Sequence, residues 1–219
     1  MLKSFGFHQA REGMSHDQYV AHWLGVHAPL AVPLAAMGLL GYATNEVVSS
    51  GDDIAIARSA PDFGTGVDGI AQLHVPAADF LPSVAESEEG KALMADGPRF
   101  VGQRNGCLAT EHVIVRPQRD GRGFKAFVFL SGGNVGALAA LAADFPDGFV
   151  VSELGPATGS TNIGDMEIPA MDTAIELWAA DAAAAQSEAA RFVAAAPGTA
   201  ETVAVVVCRE RLIISPSNH

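Results

Sequence analysis

Short runs rich in Val, Ile, Leu and Phe, bounded by Gly, Pro or Asp, recur along the chain, separated by stretches whose apolar residues fall at helical spacing. Lys3-Ser4-Phe5-Gly6-Phe7 is the first such run and predicts a strand. Ser15 followed by Gln18 has capping-box spacing and predicts a helix running to about Leu34, bent at Pro29. Apolar runs at 41–47 and 72–74 predict two further strands, and a helical region spans roughly Ala77 to Met94 with interruptions near Pro82 and Gly90. A strand from Glu111 to Val115 closes a β-α-β-β-α-β series, the split βαβ or ferredoxin-like plan.

The series then repeats in the same order. Lys3–Phe7 reappears as Lys125-Ala126-Phe127-Val128-Phe129, and Gly41–Val47 as Gly148-Phe149-Val150-Val151-Ser152-Glu153-Leu154. Asp68 and Gln72-Leu73-His74 match Asp172 and Glu176-Leu177-Trp178, and Glu111 to Pro117 aligns with Glu210 to Pro216. Four collinear matches with shrinking offsets predict a tandem duplication, with alanine-rich helices near Asn134 to Ala143 and Ala180 to Ala195 in the second copy. The polar joint Arg119-Asp120-Gly121-Arg122-Gly123 sets the predicted units at 1–118 and 122–219. The expected fold class is α+β: two tandem ferredoxin-like (βαββαβ) units, each with one sheet face bare of helices. Packed sheet-to-sheet, they bury those faces as an intramolecular α/β barrel.

Composition agrees with extensive burial: 49% of the residues are hydrophobic and 17% charged. A net charge of −12 repels polyphosphate backbones and argues against nucleic acid as a partner. Cys107 and Cys208 fall in strand-like contexts with no CxxC pattern and read as reduced packing residues. The first residues lack a signal-peptide pattern, and no window approaches about 18 uninterrupted apolar residues, so a cytoplasmic chain with no membrane span is expected.

Candidate chemistry is confined to the first copy, which holds six of the seven histidines: His8, His16, His22, His27, His74 and His112. On a regular α-helix Tyr19, Trp23, Val26 and Leu30 form the packed stripe, with His22 and His27 about 140° apart on its flanks. Residues five apart are a poor zinc motif, so no metal is expected. A single imidazole at the edge of an apolar pocket suits cofactor-free proton transfer, and His27 is the first candidate. His22 reads first as a solvated face residue, and second as a functional one. Tyr42 reads as a packed strand residue or as a proton donor. Asp68 and Asp172, present in both copies, read as strand-start turn residues, and Asp52-Asp53 as a solvated pair.

The first copy resembles the EthD family in the combined order of Gly13, His22-Trp23, His27-Ala28-Pro29-Leu30, Gly38-Leu39, Gly41-Tyr42, Asp68-Gly69-Ile70-Ala71, Asp96, Phe100 and the strand Glu111–Val115. That resemblance implies a dimeric α/β barrel, a pocket between the first helix and the sheet, and cofactor-free chemistry in the catabolism of ethers, lactones and aromatics or the processing of aromatic polyketides. By it His27 is the leading acid/base residue, with His22 and Tyr42 as catalytic companions. Trp23, Tyr19, His74, His8 and Phe7 are the substrate-binding candidates. His74 stands where relatives often have an aromatic residue and where the second copy has Trp178. The expected function is a lyase, isomerase or cyclase acting on a hydrophobic aromatic or lactone-like substrate. A cofactor-free oxygenase of anthrone-like substrates and a non-enzymatic ligand-binding or accessory protein are the alternatives, and pairing of two such chains as a homodimer stays open.

Overall fold

The computed structural model describes residues 1–49, 66–117, 122–159 and 163–216; the Asp52-Asp53 pair and the core of the joint at 118–121 lie outside the described residues. Eight strands form one closed antiparallel barrel: β1 (Leu2–Ala10), β2 (Gly41–Ser49), β3 (Gly69–Val75), β4 (Val101–Val115), β5 (Arg122–Ser131), β6 (Phe149–Ala157), β8 (Thr173–Ala179) and β9 (Glu201–Ile214). A two-residue strand, β7 (Gly164–Asp165), runs parallel to β4 outside the ring. In the first half the order is β4-β1-β3-β2, and in the second β9-β5-β8-β6 is its counterpart. The ring closes edge to edge, through β2 on β9 and β4 on β6.

That closure explains why β4 and β9 are far longer than the apolar runs predict. β4 pairs with β1 up to Thr110, then continues against β6 from Cys107 to Val115. Its first part is the polar stretch Gly102-Gln103-Arg104-Asn105, held by backbone pairing to β1 and not by apolar side chains.

Strand parity sorts side chains into layers. Phe5 and Phe7 of β1 point into the barrel with Phe127 and Phe129 of β5, Cys107, Val206 and Cys208. Burial pushes the Cys107 thiol up to about 11, so it is an inert packing group. The opposite faces carry the helices: Tyr19, Trp23, Tyr42, Ala71 and Phe100 belong to the first-half layer, and Val128, Leu138, Phe149 and Phe192 to the second.

One end of the barrel interior is ionic. Lys125 donates to Gln72 Oε1 (2.6 Å), Glu176 Oε2 (2.8 Å) and Glu210 Oε1 (2.6 Å), and Lys3 to Glu176 (2.6 Å) and Glu111. Trp178 Nε1 donates to Glu210 (2.9 Å) and His74 Nε2 to Glu111 (3.1 Å). Burial alone would raise the Glu111 and Glu176 carboxyls. The hydrogen bond from His74 and the charge of Lys3 overcome this for Glu111, and Lys125 with Lys3 does so for Glu176, holding both below the usual carboxylate range.

The helices follow the predicted order. Ser15 caps α1 (His16–His22) with both bonds of the capping box. Helical backbone continues through a π turn (Trp23–His27), α2 (Ala28–Ala31) and a 3₁₀ segment (Val32–Met37). This stretch, His16–Met37, is long and apolar enough by length and composition to cross a membrane, yet Tyr19, Trp23, Ala28, Ala31 and Leu34 are buried in the first-half core. Its close seat on the sheet requires Gly69, where a Cβ would come within 2.3 Å of Trp23 and 2.4 Å of the Tyr19 hydroxyl. The next helical region splits into α3 (Phe80–Ala85) and α4 (Glu88–Asp96), broken at Ser87 and not at Pro82 or Gly90. Ser87 Oγ accepts from Gly90 N–H and caps α4, while Gly90 lies against the Val84 carbonyl, where a Cβ would sit at 1.9 Å. Asn134 and Asp181 cap α5 (Val135–Ala139) and α6 (Ala182–Ala195) in the second half.

Candidate active site

Pro29 has no N–H to give the Gly25 carbonyl four residues back, and the turn before it opens into π geometry, with Ala28 N–H bonding Trp23 O five residues back. A π turn carries residues five apart round to one face. The flank-to-flank separation expected for His22 and His27 on a regular helix is therefore overturned: both donate to one carboxylate, Asp96 at the end of α4. His22 Nε2 lies 3.1 Å from each carboxylate oxygen, and His27 Nδ1 lies 3.0 Å from Oδ2. Both rings pack on Phe100, with centroids 4.9 and 4.8 Å away. Asp96 is buried, so its lone pairs are committed to the two imidazoles.

His27 faces a cavity of about 120 Å³ between the helices and the first-half sheet, walled by apolar residues including Ala31, Leu34, Ala71, Leu73 and Val101. A space of this size suits one six-membered ring, by comparison with an engineered cavity of roughly 150 Å³ that binds benzene. With Nδ1–H given to Asp96, the neutral His27 ring carries its lone pair on Nε2, which makes no hydrogen bond to the described residues. Burial lowers the His27 pKa and outweighs the opposing pull of Asp96, with the charge of Arg104 adding to the fall. His27 is thus neutral near pH 7 and available as a base.

Three further polar side chains reach the cavity: His8, Tyr42 and Arg104. The Tyr42 hydroxyl accepts from Trp23 Nε1 at 2.8 Å, leaving its own proton to donate, and burial keeps it protonated well above the usual tyrosine range. His8 is held well below the usual imidazole range by burial, with Arg104 and His27 adding to the effect, and shares a hydrogen bond with the Tyr19 hydroxyl at 3.3 Å. Gly6 leaves room for both His8 and Arg104, since a Cβ there would come within 3.3 Å of His8 Nε2 and 3.8 Å of Arg104 Nε.

The structure thus gathers His27, His8 and Tyr42 on the cavity. His22 stands behind, holding Asp96. Trp23 and Tyr19 are fully buried in the packed layer, where they position Tyr42 and His8. Phe7 and His74 lie apart from the lining because strand parity turns them inward: Phe7 with Phe129 in the barrel core, His74 with Gln72 in the ionic cluster. His112 pairs with Glu153 at 2.7 Å on β6. Asp96 and Arg104 were not predicted as site residues. Among the described residues no three His, Cys, Asp or Glu side chains are grouped to hold a metal ion.

Residues 11–104 match the family model of the EthD domain. No curated protein matches the chain in sequence. An anthrone oxidase-like protein of known structure superposes over 97% of this chain and 93% of its own, with a TM-score of 0.50 and 12% identity. A candidate monooxygenase from Lactobacillus acidophilus covers the same shares with a TM-score of 0.54 and 8% identity. A third structure, from Fusobacterium nucleatum and also described as a candidate monooxygenase, has a TM-score of 0.53 and 8% identity over 97% and 91% of the two chains. All three are similar in fold across both halves.

Proposed function

On the premise that the chain belongs to the EthD family through residues 11–104, we propose that it is a cofactor-independent small-molecule enzyme in which His27 acts as general base on a hydrophobic aromatic or lactone-like substrate. The observation that carries this reading is the His27–Asp96 pair: the carboxylate fixes the ring and its tautomer and leaves the lone pair on Nε2 of a residue that lines the mainly apolar cavity. His27 Nε2 removes a proton from a phenol or from carbon next to a carbonyl. Tyr42 donates its hydroxyl proton as a hydrogen bond to the oxygen on which charge develops. Elimination or rearrangement from the resulting anion makes the enzyme a lyase, isomerase or cyclase, and the apolar walls keep water from quenching it. His22 serves as a positioning residue through Asp96.

The pH dependence tests this directly. Since the base works only when neutral and its pKa is lowered by burial, kcat/KM holds steady from neutral pH down past 6.5 and falls only on protonation below that. An acid limb centred at or above 6.5 would remove His27 from the role. A second reading is favoured by the names of the structural neighbours: the same ionised substrate could react with oxygen in a cofactor-free oxygenase. Oxygen uptake in step with turnover selects that reading, and turnover under anaerobic conditions selects the first.

The two halves read as diverged copies of one ferredoxin-like unit. Their matching strand orders support this, as do equivalent bonds at the start of β3 and β8, where Asp68 O accepts from Val47 N and Asp172 O from Leu154 N. The chemistry stays with the copy that kept the helix-one histidines.

A further inference from the structure

We propose that Arg104 is the substrate-recognition residue of this site and that the substrate is a small organic monoanion, whose carboxylate Arg104 takes while the ring lies against His27. The inference rests on the reading of the cavity as the substrate site and goes beyond it in naming the substrate's charge. Arg104 lines the cavity on β4, directly opposite His8 in the β1–β4 register. Among the described residues no carboxylate pairs with its guanidinium. The buried acid beside the cavity, Asp96, is engaged by His22 and His27. A half-buried cation facing an apolar cavity without a counter-charge is costly, and such sites are ordinarily completed by an anion.

The rest of the lining offers nothing to neutralise it. His8 and His27 are kept neutral, Tyr42 is kept protonated, and the remaining walls are apolar apart from backbone. The positive charge is felt throughout the cavity: it contributes to the lowering of both imidazoles and acts against the rise at Tyr42. One net positive charge in an apolar chamber matches one negative charge on an otherwise apolar ligand. The chain as a whole carries −12, so this preference for an anion is local to the cavity and opposite to the surface charge.

Arg104 also occupies the boundary with a second cavity of about 300 Å³, lined by Ser4, Gly106, Thr158 and Gly159 and sharing Leu81, Ala85 and Met94 with the first. An acid group at Arg104 would sit where the ring chamber meets this wider space. The planar guanidinium fork suits a carboxylate held by two parallel hydrogen bonds. Tyr42, which also lines the first cavity, would remain free to serve the reacting oxygen.

Benzoate and its neutral isostere benzamide test the proposal by calorimetric titration, without need of the natural substrate. The native chain is expected to bind benzoate at least tenfold more tightly than benzamide, and Arg104→Met to abolish that preference by weakening benzoate far more than benzamide. Should Arg104→Met fail to fold, Arg104→Lys replaces it: a lysine keeps the charge without the fork, so benzoate should still be preferred, but by a smaller factor. His27→Gln should keep the full preference, which separates this test from that of the base: loss of turnover in His27→Gln concerns catalysis, and loss of anion selectivity in Arg104→Met concerns recognition. Equal affinity for benzoate and benzamide in the native chain, or an undiminished preference in the Arg104 variants, would overturn the proposal.

Discussion

Replacement of His27 by Gln is expected to lower kcat by about 10²–10⁴-fold on any substrate the native chain turns over, the range that a positioned general base supplies. Gln keeps a polar group near Asp96 and a similar volume against Phe100, but has no titratable nitrogen to accept a proton. Asp96→Asn should also lose activity, for a different reason. A neutral amide can accept from His27 or donate to it, so the ring is no longer held with its lone pair on the cavity side. The two variants are distinguishable in steady-state kinetics: Asp96→Asn retains a base and shifts the acid limb of kcat/KM, whereas His27→Gln abolishes that limb. Full turnover by His27→Gln would refute the assignment.

The second large effect concerns stability. Lys125→Met removes the cation that Glu176 and Glu210 share inside the barrel, leaving Lys3 to face Glu111 and Glu176 alone. Removing one partner of a buried ionic cluster costs about 3–5 kcal/mol, because the remaining charges stay desolvated. That is a large part of the roughly 5–15 kcal/mol by which domains are stable. The deficit depends on pH with a definite sign. Glu111 and Glu176 are held below the ordinary carboxylate range, so the native cluster contributes fully above about pH 4.5 and is lost as acid protonates it. In Lys125→Met the uncompensated carboxylates protonate more readily, so the gap to the native chain is widest at neutral pH and narrows towards pH 5. Urea unfolding at the two pH values measures it; equal stability at pH 7 would show that the cluster contributes nothing.

Much of the fold was legible because most strands contain a short apolar run bounded by Gly, Pro or Asp, even where the strand itself runs further, and because Ser15 with Gln18 announces the first helix. Glu111 and Glu210, which align in the repeat, both take part in the ionic cluster of the barrel. The site was less legible for three physical reasons. The angle between His22 and His27 assumed a regular helix, whereas Pro29 opens a π turn that brings both to Asp96. His74 and Phe7 belong to strands buried on both faces, where apolar pattern does not reveal which way a side chain points. Asp96 and Arg104 come from a helix end and a polar strand start, and no spacing rule links either to the first helix. The signal nearest to hand was Arg104 itself, a cation inside a polar run that lacks a neighbouring acid.

The central claim, that His27 rests neutral with its lone pair turned to the cavity, is tested most directly by ¹⁵N NMR of the histidine rings over a pH titration. The expected result at pH 7 is a His27 ring protonated at Nδ1 and bare at Nε2, taking up its second proton only below pH 6.5. A His27 protonated at Nε2, or already an imidazolium at pH 7, would contradict it.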